Sequence, residues 1–282
     1  MLRKATGMPT VILPRVTDSQ PKTDSPVPAA PLPIKPLIIG APFGNYIQPA
    51  GCTATLGTFT AARRGGLVNR AWRIMLTVRY YRRMKAWVNK IGLRNPGIDW
   101  LCAKVEQGKI DASDKLVSIH GFTPDDWFTL LEKTAKLKPL AIEMNMSCPN
   151  VGHISWPPEL FEKAVATGVP IIAKIPPVNY DTMVEQAAGA GVRMFHCCNT
   201  LPNPGGGMSG TPLKHVSLQC IQDLQKKPYW NDLTIIGGGG IYTPEDVDAY
   251  ADLGVKHVAI ATKLFNPKYL FSTSGVTPLR ER

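Results

Sequence analysis

The sequence predicts a single (β/α)8 barrel, in which eight parallel strands close into a ring with helices between them. Short apolar runs alternate with helical patterns along the chain, which is typical of a parallel sheet. Polar residues follow directly after several of these runs, and the carboxyl ends of the strands form the face where such barrels carry their chemistry. The 282 residues also suit one barrel, which commonly needs about 250.

Eight apolar runs are the predicted strands. They span residues 37–40, 52–60, 116–120, 139–142, 169–177, 193–198, 233–236 and 256–261. Predicted helices lie between them at 70–90, 98–107, 158–167 and 181–189, and Thr123 and Thr243 are expected to cap two more helices that begin with Pro and acidic residues. Residues 37–270 therefore form the predicted barrel.

The two ends of the chain lack such patterns. Residues 1–36 are rich in Pro, Ser, Thr and Asp, and their apolar residues follow neither the helical nor the strand period, so we expect a disordered arm. Residues 271–282 are a predicted tail, which leaves room only for a shortened closing helix. No secretory signal and no apolar run long enough to span a membrane is recognised. The six cysteines form no Cys-x-x-Cys pair, which indicates reduced thiols in a cytoplasmic protein and argues against a metal site.

The positive charge is concentrated near the start of the chain. The formal net charge is +11, and residues 1–100 hold 15 basic and 3 acidic side chains. Residues 63–94 alone hold ten basic side chains and no acidic one. The predicted basic helix at 70–90 could pack on the barrel with a solvated face. It could instead contact an acidic surface, for which an anionic membrane, nucleic acid and an acidic partner protein are the candidates.

Residues 142–150, which read IEMNMSCPN, carry the most specific signal. An apolar strand runs into two carboxamides, Asn145 and Asn150, with the thiol of Cys148 between them. Carboxamides can donate to and accept from a flat heterocycle, and a thiol can remove a proton. The simpler interpretation is a strand stop with turn-forming Asn and Pro and a buried Cys.

The Asn-x-Ser-Cys-Pro-Asn loop resembles the active-site loop of the soluble dihydroorotate dehydrogenases, which are FMN-dependent (β/α)8 barrels. Residues 89–97 (NKIGLRNPG) resemble the family's Asn-x-x-Gly-Leu-x-Asn-x-Gly, and residues 205–214 (GGGMSGTPLK) resemble its Gly-Gly-x-Ser-Gly-x-x-Leu-Lys. The segment before Arg64 resembles Thr-Lys-x-x-Thr-x-x-x-Arg, but the expected Lys falls on Gly57. This departure removes a cation from the predicted site.

The resemblance implies oxidation of dihydroorotate to orotate in pyrimidine synthesis, with hydride transfer to flavin N5. It implies that Cys148 is the general base and that Lys174 stabilises the reduced flavin; a structural ion pair is the alternative for Lys174. The residues that would hold the pyrimidine substrate are Asn89, Gly92, Leu93, Asn145, Asn150, Asn199 and Thr200. Of these, Gly92 and Leu93 would meet its carboxylate through their backbone N–H groups.

Glycine-rich loops after the seventh and eighth strands are where such barrels bind phosphate. The residues predicted to bind FMN are Gly40, Thr58, Asn145, Lys174, Gly210, Gly239, Gly240, Ala261 and Thr262. The resemblance also implies a homodimer or larger assembly, and an electron-transfer partner subunit in some members.

Three other functions compete with this interpretation. The Gly57 departure favours an FMN barrel that acts on another pyrimidine-like ring. The basic first third of the chain would suit a dihydrouridine synthase of tRNA, although the Cys148 loop fits that family poorly. The short C-terminus together with Gly57 motivates a degenerate barrel that binds flavin or a partner without catalysis.

Overall fold

In the computed structural model, eight parallel strands close into a barrel. The structure describes residues 32–65, 67–146, 156–266, 269 and 276–280. In chain order the strands are β1 (Leu37–Ile39), β2 (Cys52–Phe59), β3 (Arg79–Tyr81), β4 (Ala86–Asn89), β5 (Leu116–Ile119), β6 (Ala141–Asn145), β7 (Ile171–Lys174), β8 (Met194–Cys197), β9 (Leu201–Asn203), β10 (Gly206–Gly210), β11 (Thr234–Gly238) and β12 (His257–Ile260). Around the barrel the strands follow the order β1, β12, β11, β8, β7, β6, β5 and β2. All eight predicted barrel strands are present, so the predicted (β/α)8 fold is confirmed.

Helices connect most of the barrel strands. They are α1 (Leu67–Thr77), α2 (Ile98–Glu106), α3 (Pro124–Lys136), α4 (Leu160–Val165), α5 (Asp181–Gly189), α6 (Thr211–Gln225), α7 (Pro244–Ala251) and α8 (Thr277–Arg280). Short 3-10 helices span Phe43–Asn45, Arg82–Met84, Trp230–Asp232 and Thr262–Phe265. The last described helix, α8, has four residues. Among the described helices, none has the length and apolar composition to cross a membrane.

Helix α3 shows how the sequence fixes the packing of a helix on the barrel. The Thr123 hydroxyl accepts from the backbone N–H of Asp126 at 3.2 Å, which caps the helix as predicted. Trp127, Leu130 and Leu131, together with Thr134, form a buried stripe at helical spacing. The barrel strands beneath such helices are covered on both faces, and for this reason they read as continuous apolar runs.

The predicted helix at 70–90 is wrong beyond residue 77. Helix α1 ends at Thr77, and β3 and β4 form an antiparallel hairpin in which Tyr80 is paired with Trp87. The chain reverses at Lys85, which has a left-handed backbone with φ of 48°. The four-residue spacing of apolar side chains continued past the helix by coincidence, whereas the aromatic residues around the turn favour strands.

Residues 205–214 contain a further strand before helix α6 begins at Thr211. Residues 206–210 form β10, which pairs antiparallel with β4, so that Gly207 lies opposite Asn89 and Gly210 opposite Ala86. Strand β9 pairs with the other edge of β10 and completes a sheet in the order β3, β4, β10, β9. Glycine has low strand propensity, so the pairing of β10 could not be read from its composition.

The backbone at Gly57 explains why the expected lysine is absent. Gly57 has a φ of +103°, and a Cβ atom there would lie 2.4 Å from the backbone oxygen of Ser118 and 2.8 Å from the backbone nitrogen of Phe59. Asn45 fixes this conformation, because its side chain accepts from the Gly57 N–H and donates to the Gly57 oxygen, both at 2.9 Å. Residue 57 therefore has no room for any side chain.

Replacing Gly57 by Lys should consequently destabilise the protein instead of restoring the cation of the family motif. Steric overlap and positive φ together predict a loss of roughly 3 kcal/mol or more in the free energy of unfolding. Urea denaturation of Gly57→Lys would measure the loss. Gly189→Lys is the matched control, since no atom lies within 4 Å of the position that a Cβ would take there. A Gly57→Lys protein as stable as this control would contradict the steric argument.

Candidate active site

The carboxyl ends of the barrel strands open into a cavity of about 1350 Å³. Most of the predicted site residues line it, namely Gly40, Thr58, Asn89, Leu93, Asn145, Lys174, Asn199, Thr200, Gly239, Gly240, Ala261 and Thr262. Gly92 and Gly210 are not among its lining residues. Cys148 and Asn150 lie outside the described residues. The strand ends thus bring together residues from distant parts of the sequence.

Two of the predicted carboxamides contact each other across the cavity wall. The Nδ2 of Asn199 donates to the Oδ1 of Asn145 at 2.6 Å, and the Nδ2 of Asn145 donates to the hydroxyl of Thr58 at 3.3 Å. That hydroxyl is in turn 3.0 Å from the hydroxyl of Ser118. The hydrogen-bond chain therefore crosses from the end of β8 to β6, β2 and β5 and fixes the orientation of each amide.

The backbone of Asn145 is held by a buried histidine that sequence analysis did not single out. The Nδ1 of His120 lies 2.7 Å from the Asn145 carbonyl oxygen. Burial lowers the pKa of His120, so its ring is neutral at pH 7 and donates through Nδ1–H. His120 follows the apolar strand β5, and a histidine at such a position was the available sequence signal.

Asn89 and the loop after it form another part of the cavity wall. Asn89 lies at the end of β4 and donates to the Gly207 oxygen at 3.5 Å. Gly92 and Leu93 both have positive φ, at +76° and +53°. The buried side chain of Asn95 stabilises this turn, because its Nδ2 donates to the Leu93 oxygen at 2.7 Å and its Oδ1 accepts from the Gly97 N–H at 2.9 Å.

Lys174 belongs to a cluster with two buried residues, Glu143 and His196, that the sequence analysis missed. Its Nζ lies 3.8 Å from Oε1 of Glu143, and Oε2 of the same carboxylate lies 2.7 Å from Nδ1 of His196. The register places Asn145 beside Lys174 and Lys174 beside His196, so the three lie at one level of the barrel. An acid and a histidine inside two apolar strands were the sequence signals for this cluster.

The electrostatics of the cluster favour a charged Glu143. Burial alone would raise the pKa of the Glu143 carboxyl, but the Lys174 ammonium and the His196 hydrogen bond outweigh it and lower that pKa to about 2. Burial and the Lys174 ammonium lower the pKa of His196. The neutral His196 ring therefore donates to a carboxylate, and the negative charge of Glu143 is balanced by Lys174.

The glycine-rich loops converge on the opposite side of the cavity. Gly239 and Gly240 have φ of +117° and +66°, and a Cβ at Gly240 would lie 3.1 Å from the Gly210 oxygen and 2.7 Å from the Cβ of Lys214. Gly40 donates its backbone N–H to the Ile260 oxygen at 2.8 Å, next to Ala261. The ends of β1, β11 and β12, together with Gly239 and Gly240, form this part of the cavity wall, which is named here the glycine wall.

Two lysines border this glycine wall. The Nζ of Lys214 pairs with the Asp246 carboxylate at 2.7 Å, and Asp246 also accepts from the backbone N–H of Tyr242 and of Thr243. Lys263, which directly follows Thr262, donates to the Tyr242 oxygen. The loop after β11 is therefore held in place by polar contacts to both α6 and the segment after β12.

Comparison with known proteins identifies relatives of this barrel. The family model for dihydroorotate dehydrogenase matches residues 53–273. The catalytic subunit of dihydroorotate dehydrogenase B (NAD(+)) from Shouchella clausii is 31% identical over 210 residues, which cover 64% of this chain and 68% of that protein. Dihydroorotate dehydrogenase A (fumarate) from Limosilactobacillus reuteri is 29% identical over 215 residues, which cover 64% of this chain and 67% of that protein.

A solved structure of a dihydroorotate dehydrogenase has the same fold as this chain. The ligand-free dihydroorotate dehydrogenase of Eimeria tenella superposes with a TM-score of 0.66 at 17% identity, over 87% of this chain and 82% of that one. Because the family model matches well over half of the sequence, the chain belongs to the dihydroorotate dehydrogenase family, a family of oxidoreductases.

Proposed function

We propose that the chain oxidises dihydroorotate to orotate in this cavity, with FMN as its cofactor. The observation that carries the proposal is the convergence of Asn145, Asn199 and Lys174 on one cavity. Two linked carboxamides offer donors and acceptors to a flat ring rich in amide groups. The names of both bacterial relatives give dihydroorotate dehydrogenase as their activity, and one of them is the catalytic subunit of an enzyme that uses NAD(+).

The cavity suits FMN in size and in the chemistry of its walls. A volume of about 1350 Å³ exceeds that of common small-molecule pockets, about 300–1,000 Å³. The glycine wall brings Gly239, Gly240, Ala261 and Thr262 to the cavity, where a phosphate would need N–H donors. We assign the phosphate to these four residues, and the ring to Gly40, Thr58, Asn145 and Lys174. When bound, FMN supplies a two-electron acceptor.

Cys148 is the proposed general base. It follows β6 by three residues, and β6 ends at the cavity with Asn145. A thiolate at this position would take the proton from C5 of dihydroorotate while the hydride leaves C6. Asn89, Asn145, Asn150, Asn199 and Thr200 would orient the ring, because the reaction requires both hydrogens to be placed correctly at once.

Lys174 provides the positive charge beside the proposed flavin. Its pairing with Glu143 means that the resting site already holds a balanced buried charge pair. Glu143 therefore fixes the position of the ammonium while leaving it available to a second anion. The distance of 3.8 Å between Nζ of Lys174 and Oε1 of Glu143 is longer than a hydrogen bond. This supports an ammonium group that contacts Glu143 and can still donate hydrogen bonds to a second anion.

Arg94 is the proposed replacement for the missing lysine at position 57. It follows Leu93 in the loop that would meet the substrate carboxylate, and it lines the cavity. Its Nε is buried without a hydrogen-bond partner among the described residues. A guanidinium with an unused donor suits a carboxylate, to which it can donate twice.

Oxidation of another pyrimidine-like ring is the second candidate function, and the backbone at Gly57 favours it. A lysine expected near an anionic substrate is excluded there on steric grounds. A substrate that lacks the carboxylate would have no need for that cation. In that case dihydroorotate would leave the flavin oxidised, whereas an uncharged dihydropyrimidine such as dihydrouracil would reduce it.

The first test concerns Cys148. Cys148→Ala should retain FMN and a yellow colour, but dihydroorotate should reduce its flavin at least about a hundredfold more slowly, which is the lower range for loss of a general base. Anaerobic stopped-flow absorbance measures the rate, and Cys148→Ser should keep some activity. Cys102→Ala on α2 is the control and should react at the wild-type rate. Unchanged reduction in Cys148→Ala would remove this thiol from the mechanism.

The second test concerns Arg94. Arg94→Ala should raise KM for dihydroorotate roughly tenfold to a hundredfold, which corresponds to the loss of a charge-assisted hydrogen bond of about 1.5–3 kcal/mol. Steady-state kinetics provide the measurement, and kcat should change much less. Arg83→Ala, which lies outside the residues that line the cavity, should leave KM unchanged. Equal KM values in both variants would show that Arg94 does not bind the carboxylate.

The third test uses the pH dependence of stability. The Glu143 pKa is lowered from 4.5 to about 2 in the folded protein, so its stabilising effect is fully present above pH 4.5 and declines as the pH falls toward 2. Glu143→Gln should therefore be less stable by roughly 3 kcal/mol at pH 7, and the difference should narrow below pH 4.5.

Urea denaturation between pH 7 and pH 3 measures this difference. Glu132→Gln on α3 is the control, because the Glu132 carboxylate pairs with Lys136 at the surface, and its stability should follow the wild type. Parallel stability curves for Glu143→Gln and the wild type would contradict a charged, paired Glu143.

A further inference from the structure

The segment from Trp72 to Lys85, named here the 72–85 surface, exposes an unusual amount of apolar side chain. It comprises the second half of α1, β3 and the following 3-10 helix. The large apolar side chains exposed in it are Trp72 at 57%, Ile74 at 38%, Met75 at 66%, Leu76 at 49%, Tyr80 at 49%, Tyr81 at 47% and Met84 at 47%. Most of the exposed large apolar side chains in the described part of the chain lie here, and contiguous exposure of this kind marks an interaction site.

The same surface is strongly basic and has no acidic neighbour in the sequence. Arg79, Arg82, Arg83 and Lys85 are exposed, and no Asp or Glu occurs from residue 25 to residue 98. None of these cations forms an ion pair within the described part of the chain. Arg79 donates only to the backbone oxygens of Met75 and Val78, at 3.3 and 3.0 Å. The charges therefore remain available to an external anion.

The 72–85 surface borders the mouth of the cavity. Its β3 strand pairs with β4, which ends at Asn89 of the proposed substrate site. Arg73 donates to the Lys90 oxygen at 3.3 Å, and Ile74 is one of the residues that line the cavity. A structure bound to this surface would lie next to the entrance of the site.

We propose that the 72–85 surface binds the headgroup region of an anionic lipid bilayer. Every residue from Arg79 to Lys85 is either cationic or large and apolar, in the order Arg-Tyr-Tyr-Arg-Arg-Met-Lys, so any partner that covers one kind must accept the other. The interface of a bilayer does both, because aromatic and aliphatic groups enter the acyl boundary while guanidinium groups meet lipid phosphates. Trp and Tyr are enriched at this depth of a membrane.

Two other occupants fit the observations less well. A second copy of the chain would place the same arginines face to face across a two-fold axis, and like charges would repel. An acidic protein would have to bury several ion pairs among the apolar contacts, whereas the centres of protein interfaces are depleted of charge. Lipid binding leaves the cationic groups hydrated at the headgroups and still removes the aromatic rings from water.

Sedimentation of the full chain with vesicles tests the proposal. Phosphatidylcholine vesicles that contain phosphatidylglycerol should retain it about tenfold or more better than phosphatidylcholine alone, and added salt should release it. The double variant Arg82→Glu and Arg83→Glu should lose at least about tenfold of this binding. Met75→Gln keeps every charge and should still weaken it, because the apolar contact is lost.

The matched control is Lys136→Glu with Lys226→Glu, which reverses two exposed lysines, one at the end of α3 and one directly after α6. It should bind vesicles like the wild type, and circular dichroism should show all variants folded. Absence of binding to anionic vesicles at low salt, or an equal loss in the control, would overturn the proposal. If polyglutamate retains the chain as well as the anionic vesicles do, and Met75→Gln does not weaken that retention, the surface would instead bind an acidic protein. A dimer that dissociates in the Arg82 and Arg83 double variant would assign it to a second copy.

Discussion

The buried carboxylate of Glu143 sets the arrangement of the site, because a charge inside a barrel must be balanced where it stands. Lys174 on the next strand balances it at 3.8 Å, and the neutral His196 ring on the strand after that donates a hydrogen bond to it at 2.7 Å. This requirement fixes the registers of β6, β7 and β8 at the level of the cavity. Asn145 lies beside Lys174 in the register of β6 and β7, and its amide oxygen accepts a hydrogen bond from Asn199. The polar face of the barrel is thus held together by side chains as well as by the strand ladder.

The sequence predicted the barrel well because buried parallel strands leave a strong signal. All eight apolar runs became strands, and the Thr123 cap formed as its residues indicate. The predicted helix at 70–90 was wrong beyond Thr77, since its spacing of apolar residues also suits a hairpin whose turn depends on Lys85. Strand β10 was missed because its glycines carry no periodic side chains. Both errors fall in the antiparallel sheet, where pairing between distant segments overrides local preference.

The sequence predicted the residues of the candidate site that belong to recognisable motifs. It did not predict the residues that hold other site residues in place. Asn89, Asn145, Asn199 and Lys174 stand in recognisable motifs and line one cavity. Glu143 and His196 stand in the middle of strands, and only the register shows that they face each other. Gly57 was recognised as a departure, but the cause, a backbone oxygen 2.4 Å from any Cβ, required coordinates. Long-range contacts of this kind are not encoded in the local pattern of a sequence.

The central claim is that the cavity holds FMN and dihydroorotate together. Anaerobic titration of the purified, flavin-loaded protein with dihydroorotate, followed by absorbance near the flavin band, tests this claim most directly. Dihydroorotate should bleach the flavin band, and orotate should form in a one-to-one ratio with reduced flavin. A flavin that stays oxidised at every dihydroorotate concentration, or a chain that takes up no FMN, would contradict it.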